Sequence, residues 1–142
     1  MTLLRNRARC FIDTNVLAYS DDSRDPAKNI RAVEVVKEQF QRGSGVVSLQ
    51  VLQEYYTSAV SKLGLPAERA RFRVTIFSNF QVVEPKLADV LAAIDLHRLY
   101  NLSYWDALIL RCAKQSGCTV LLTEDMQNGQ TIDGVRIVNP FL

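Results

Sequence analysis

Histidine is nearly absent from this chain of 142 residues: His97 is the only one. Cysteine is scarce as well, and Cys10, Cys112 and Cys118 form no Cys-x-x-Cys pair. A lone histidine and three scattered cysteines argue against a zinc site, and the odd cysteine count argues against a disulfide framework. Each cysteine stands in an apolar stretch, where a free thiol packs as a small hydrophobe, and a reducing cytoplasm suits such a set. No uninterrupted apolar run approaches the ~20 residues a transmembrane helix needs, so no membrane span is expected. Met1 to Arg9 carries Arg5, Arg7 and Arg9 but no sustained apolar segment or small-residue cleavage site, so no secretory signal is expected. Repeats, low-complexity tracts and Pro- or Gly-rich linkers are missing too. With 48% hydrophobic and 23% charged residues, the composition is that of a globular chain, and one domain over residues 1–142 is expected.

What is present alternates between strand-like and helix-like runs. Arg9 to Ile12 reads as a short buried strand, followed by a turn into a helix around Val16 to Ser20. From Ala27 to Arg42, Ile30, Val33, Val36 and Phe40 recur at helical spacing, and Gly43 and Gly45 end the helix. Val46 to Leu49 is a second strand, and the helix after it, opened by Ser48 or Leu49, runs to Leu63. That helix carries Leu52, Tyr55, Tyr56, Ala59 and Leu63 on one face, and Gly64 stops it. Pro66 is placed to begin the next helix. Phe80 to Val83 is a third strand, Pro85 opens a helix to about Tyr100, and Ser103 is an N-cap for a helix to Gln115 or Ser116. Cys118 to Leu122 is a fourth strand, and Asp133-Gly134 turns into a last one at Val135 to Val138. The alternation implies right-handed βαβ crossovers and a mainly parallel sheet covered on both faces.

Four acidic residues fall at one edge of that arrangement. Asp13 follows the first strand, Glu54 lies near the start of the helix after the second, Asp106 is in the first turn of its helix, and Asp125 follows the fourth strand. Strand ends and helix starts meet along one edge of an open α/β sheet, where ligands bind. Each residue also has a plain structural role open to it. Asp13 suits a helix N-cap, Ser103-x-x-Asp106 resembles a capping box, Glu54 lies off the apolar stripe of its helix, and Asp125 sits in a polar loop. Together, with no Lys or Arg in the same motifs, they would repel one another, and they call for a cation.

Mg²⁺ or Mn²⁺ fits such a set, because Mg²⁺ takes hard oxygen ligands and keeps several waters. Carboxylates flanking such ions serve phosphodiester hydrolysis, where the metal lowers the pKa of a bound water and a second ion neutralises the leaving oxygen. Histidine is not required, and His97, in a helix away from the motifs, is read as structural. Overall charge is near balance, 17 Lys and Arg against 15 Asp and Glu. Arg69, Arg71 and Arg73, with Lys62 upstream, form the densest basic stretch beyond the N-terminus. They make either a solvated helix face or a phosphate contact beside the acids.

The ordered set Phe11-Ile12-Asp13-Thr14-Asn15-Val16-Leu17, Glu54, Trp105-Asp106-Ala107-Leu108 and Thr123-Glu124-Asp125 resembles the PIN domain family. Within it, the set is most similar to VapC-type ribonuclease toxins of type II toxin–antitoxin modules. The loop Glu124 to Gly129 and the ending Asn139-Pro140-Phe141 resemble one VapC-like subgroup. The resemblance spans nearly the whole chain. It implies a three-layer α/β/α fold around a mainly parallel sheet of about five strands, and Mg²⁺- or Mn²⁺-dependent cleavage of RNA. By position, Asp13 and Asp106 match the principal metal ligands, Glu54 the third acid and Asp125 the fourth. Thr14, Asn15 and Thr123 match polar positions that orient carboxylates or water. Glu124 beside Asp125 leaves two acids for one place, with the Thr-x-Asp spacing favouring Asp125. The family also implies a homodimer and a small antitoxin protein that covers the active cleft.

Two other readings stand beside this one. A phosphatase with an aspartyl-phosphate at Asp13 would have Asp-x-Asp, but the second residue after Asp13 is Asn15, and no lysine sits in a comparable motif. A catalytically silent PIN-type module for RNA binding or scaffolding could use the Arg69 to Arg73 helix with Tyr55, Tyr56 and Tyr100. The intact acid set separates the enzyme from that module, since its mutual repulsion serves no binding role without a metal.

Overall fold

The structure is a computed structural model that describes residues 8–142. Residues 1–7, on which the expectation against a secretory signal largely rests, lie outside the described residues. The elements follow in the order β1 (Cys10–Ile12), α1 (Thr14–Tyr19), α2 (Pro26–Arg42), β2 (Gly45–Ser48), α3 (Leu49–Ser61), α4 (Ala67–Phe77) and β3 (Gln81–Val83). Then come α5 (Leu87–Tyr100), α6 (Tyr104–Gln115), β4 (Val120–Leu122), β5 (Thr131–Ile132) and β6 (Val135–Val138).

One six-stranded sheet has the order β3-β2-β1-β4-β6-β5. Every pairing is parallel except that of β5 with β6. The sequence reading expected about five strands. The sixth is β5, a two-residue strand too short to show alternation, paired to β6 through the turn at Asp133 and Gly134, both at positive φ. All residues of β1 and β2 are buried, as strands covered on both faces must be. From β1 the chain steps outward to β2 and β3, then crosses back to place β4 on the other side of β1. The strand order therefore reverses between β1 and β4, the place where open α/β sheets bind ligands.

Local chemistry fixes the helix starts near that edge. Ser48 caps α3 by accepting the Val51 amide at 3.2 Å, and Ser103 caps α6 by accepting that of Asp106 at 3.1 Å. Asp25 caps α2, with Pro26 in its first turn, and Gly43 closes it at φ 65°. The three cysteines are buried and form no disulfide, and burial pushes the Cys10 and Cys112 thiols up to about 11, which keeps them inert. A ring nitrogen of His97 meets the Leu102 carbonyl just beyond the end of α5. Among the described residues no helix is long and apolar enough to cross a membrane.

The α3–α4 hairpin is tied back to the α1–α2 turn through one carboxylate. Asp21 Oδ2 accepts the Tyr55 hydroxyl at 2.6 Å and Arg73 Nε at 2.9 Å, and the Arg73 guanidinium lies over the Phe77 ring. Tyr55→Phe keeps the packing and the ion pair but removes one hydrogen bond. It is expected to cost about 1–2 kcal/mol in urea unfolding at pH 7.

Candidate active site

Asp13 follows β1 directly, and its amide extends the ladder by donating to the Leu122 carbonyl at 3.0 Å. Its side chain caps α1: Oδ1 accepts the Thr14 amide at 2.7 Å. The other oxygen, Oδ2, accepts the Thr123 hydroxyl at 2.8 Å and, more weakly, Asn15 Nδ2 at 3.4 Å. The capping role and a place in the acidic cluster are thus held by one carboxylate. Asp13 is 4% exposed, and this burial pushes its carboxyl up to about 6. The Thr123 and Thr14 bonds work against that rise, while the charges of Asp125 and Asp106 add to it.

Thr123 and Asn15 connect Asp13 to Asp125 across the gap between β1 and β4. Asn15 Nδ2 donates to Thr123 Oγ1 at 3.1 Å and to Asp125 Oδ2 at 3.0 Å, and the Asp125 amide donates to Thr123 Oγ1 at 3.1 Å. Glu124 lines the same cleft as Asp125 but is paired. Its carboxylate accepts Lys28 Nζ and the Tyr19 hydroxyl, each at 2.8 Å, while its amide donates to Asn15 Oδ1. Of the two neighbouring acids, Glu124 is neutralised by a lysine and Asp125 is oriented beside Asp13.

Glu54 lies on the second turn of α3, where its Oε1 accepts Gln50 Nε2 at 3.1 Å and the Thr14 hydroxyl at 3.4 Å. Asp106, in the first turn of α6, is half-buried, and burial raises its carboxyl above the ordinary value. The charge of Asp125 acts in the same direction, and the Ser103 hydroxyl opposes it. Seven ion pairs form among the described residues, and none includes Asp13, Glu54, Asp106 or Asp125. The cluster therefore holds negative charge that no protein cation balances.

Among the described residues no three His, Cys, Asp or Glu side chains stand close enough to enclose an ion unaided. Mg²⁺ does not demand that, since it binds through one or two carboxylates and retains water. The donors at this edge are all hard oxygens, one of them buried and strained toward neutrality, so the residues fit a hard divalent cation.

A cleft of about 380 Å³ opens beside the acids, lined by Thr14, Asn15, Glu54 and Asp125 at the sheet edge and by Ser58, Lys62 and Arg24 further out. Neither Asp13 nor Asp106 is on its lining. The basic stretch divides here. Lys62 reaches the cleft, Arg73 is held by Asp21, and Arg71 lines a separate apolar groove with Leu52 and Tyr56. Of the tyrosines weighed as a binding surface, Tyr55 is fully buried core, while Tyr56 and Tyr100 are exposed. Lys28 and Tyr19, which bond the Glu124 carboxylate, carry no sequence signal because no local spacing links them to position 124. Ser58 and Lys62 did leave a signal, a four-residue repeat from Glu54.

Residues 10–127 match the family described as PIN domain. A search of curated proteins finds no significant match. Among solved structures, the fold is similar to a toxin–antitoxin complex from Klebsiella pneumoniae, with a TM-score of 0.66 at 20% identity over 92% of this chain and 97% of that one. It is also similar to Mycobacterium tuberculosis VapC20, a sarcin–ricin loop cleaving toxin, with a TM-score of 0.63 at 18% identity over 79% and 86% of the two chains. A third similar structure is VapBC2 from Rickettsia felis bound to a DNA fragment from its promoter, with a TM-score of 0.62 at 15% identity over 90% and 96%. The family match spans β1 to the loop after β4, the same stretch that carries all four acids, and the chain belongs to the PIN domain family.

Proposed function

We propose that this PIN domain is a metal-dependent endoribonuclease and the toxin of a VapBC-type toxin–antitoxin pair. The observation that carries the reading is the hydrogen-bonded set Asp13–Thr123–Asn15–Asp125 at the β1/β4 edge, with no protein cation paired to Asp13, Asp125, Glu54 or Asp106 among the described residues. Such charge is costly to hold together unless a cation joins it. Asp13 and Asp106 would be the principal ligands of Mg²⁺ or Mn²⁺, with Glu54 and Asp125 completing the set directly or through water. When bound, such an ion lowers the pKa of water and neutralises charge on a phosphodiester.

The protein's own contribution is orientation. Thr123 and the Thr14 amide fix the two oxygens of Asp13, and Asn15 sets the angle of Asp125. Lys28 and Tyr19 keep Glu124 from competing for the same place. The likeness to two toxin–antitoxin assemblies and to a toxin that cleaves the sarcin–ricin loop supports RNA as substrate and a small antitoxin as partner. A homodimer and a reducing cytoplasm complete the reading, the latter suited to three free buried thiols.

The test is cleavage of RNA by purified protein in Mg²⁺, in Mn²⁺ and in EDTA. Cleavage with either ion and none with EDTA is the expected result. Absence of cleavage across structured and single-stranded RNAs, with no thermal shift from either ion, would return the chain to a binding or scaffold role.

A further inference from the structure

The cleft continues away from the acids along α3. Glu54, Ser58 and Lys62 stand at four-residue intervals on one face of that helix, and all three line the cleft. The proximal end is marked by the Thr14 hydroxyl on Glu54 at 3.4 Å. The far end of that face carries Lys62, which with Arg24 makes the two cations of the lining. They are not equivalent. Arg24 is bound to Asp22 through Nε at 2.9 Å and Nη2 at 3.0 Å, whereas Lys62 takes part in no ion pair among the described residues. Along the α3 face the cleft thus runs from the Glu54 carboxylate to the Lys62 ammonium, neither in an ion pair among the described residues, while the Asp22 and Glu124 carboxylates of the lining are held by Arg24 and Lys28.

The spacing matches a nucleic-acid strand. Eight helical residues span ~12 Å, which is the reach of about two nucleotides of an extended single strand. At physiological salt that distance exceeds the Debye length of ~8 Å, so Glu54 does little to cancel Lys62 as seen by a bound phosphate. The Ser58 hydroxyl lies midway and can donate to a phosphate oxygen.

We propose that the Glu54–Ser58–Lys62 face of α3 is the track along which single-stranded RNA leaves the acidic centre, with Lys62 binding the phosphate about two nucleotides from the scissile one. The inference rests on the nuclease reading for the location of the scissile phosphate. It makes Lys62 a substrate-binding residue and separates it from Arg69, Arg71 and Arg73, none of which lines the cleft.

The test measures binding apart from chemistry. Anisotropy of a fluorescein-labelled hexauridylate is followed in EDTA across a salt series for wild type, Lys62→Ala, Lys62→Glu and Lys62→Arg. Lys62 is exposed at the end of α3, and thermal melts check that each variant is folded. Lys62→Ala is expected to weaken binding by about tenfold and to lower the slope of log K against log salt by ~0.7, the loss of one single-strand phosphate contact. Lys62→Glu weakens it further, and Lys62→Arg restores it. In cleavage assays KM rises while kcat holds. Lys62→Ala binding within about twofold of wild type, with an unchanged salt slope, overturns the track. The two readings fail separately. Lys62-dependent binding without metal-dependent cleavage removes the nuclease and keeps the track as a binding site. Metal-dependent cleavage with Lys62→Ala unchanged in Kd and KM removes the track and keeps the nuclease.

Discussion

Asp13→Asn is expected to lower metal-dependent RNA cleavage by at least about 1,000-fold, equivalent to ~4 kcal/mol of transition-state stabilisation, while leaving the protein folded. The retained fold follows from what the side chain already does. Asn is as good an N-cap as Asp, and its carbonyl oxygen can keep the 2.7 Å bond from the Thr14 amide. The Thr123 hydroxyl, which donates to Oδ2 at 2.8 Å, loses an acceptor when that oxygen becomes an amide nitrogen, a cost of about 1 kcal/mol. Removing a buried charge offsets that loss. Activity falls because the exchanged group is the buried member of a carboxylate set, and an amide is a far poorer partner for a hard cation than a carboxylate. Circular dichroism and a melt identify the folded variant, and single-turnover cleavage in Mn²⁺ gives the rate. A folded variant that cuts RNA at more than about a tenth of the wild-type rate would show that Asp13 is a helix cap and nothing else.

The place of each candidate acid along the chain was legible before the structure because each is attached to a locally recognisable boundary. Asp13 and Asp125 follow apolar strand runs, and Glu54 lies in the second turn and Asp106 in the first turn of helices with serine caps. An α/β topology then carries those boundaries to one edge. What could not be read depends on partners distant in sequence. Lys28 decides which of Glu124 and Asp125 is left unpaired, and it lies 96 residues from Glu124. Asp21 withdraws Arg73 from a basic stretch that looks uniform in sequence, and the same carboxylate takes the Tyr55 hydroxyl inward. β5 was missed for a different reason: two residues cannot display a period of two, and its pairing rests on the positive-φ turn that follows.

The second large effect concerns stability in the absence of divalent ions. Burial first, and the neighbouring charges of Asp125 and Asp106 after it, raise the folded-state pKa of Asp13 from 3.8 to about 6. A raised carboxyl favours the folded state fully below the unfolded value, near pH 4, and that contribution is lost as pH rises through about 6. The loss is on the order of 3 kcal/mol by neutral pH. Other carboxylates oppose it: the Arg24 contact holds Asp22 low, and the Lys86 amide and Arg111 hold Asp89 low, so both destabilise the fold on acidification. The clean observable is therefore the difference between wild type and Asp13→Asn in EDTA, which cancels those groups. Wild type is expected to lose stability relative to the variant between pH 4 and pH 7, and the two curves run parallel above that. Mn²⁺ at about 100 times its Kd adds ~2.7 kcal/mol to the folded state at pH 7.5, which shifts Tm by roughly 5–10 °C for a chain of this size. The shift shrinks toward pH 5, where protons compete for Asp13, and it is largely absent in Asp13→Asn. Parallel pH profiles for the two proteins in EDTA, with an equal response to Mn²⁺, would mean that the buried carboxylate neither carries the strain nor holds the ion.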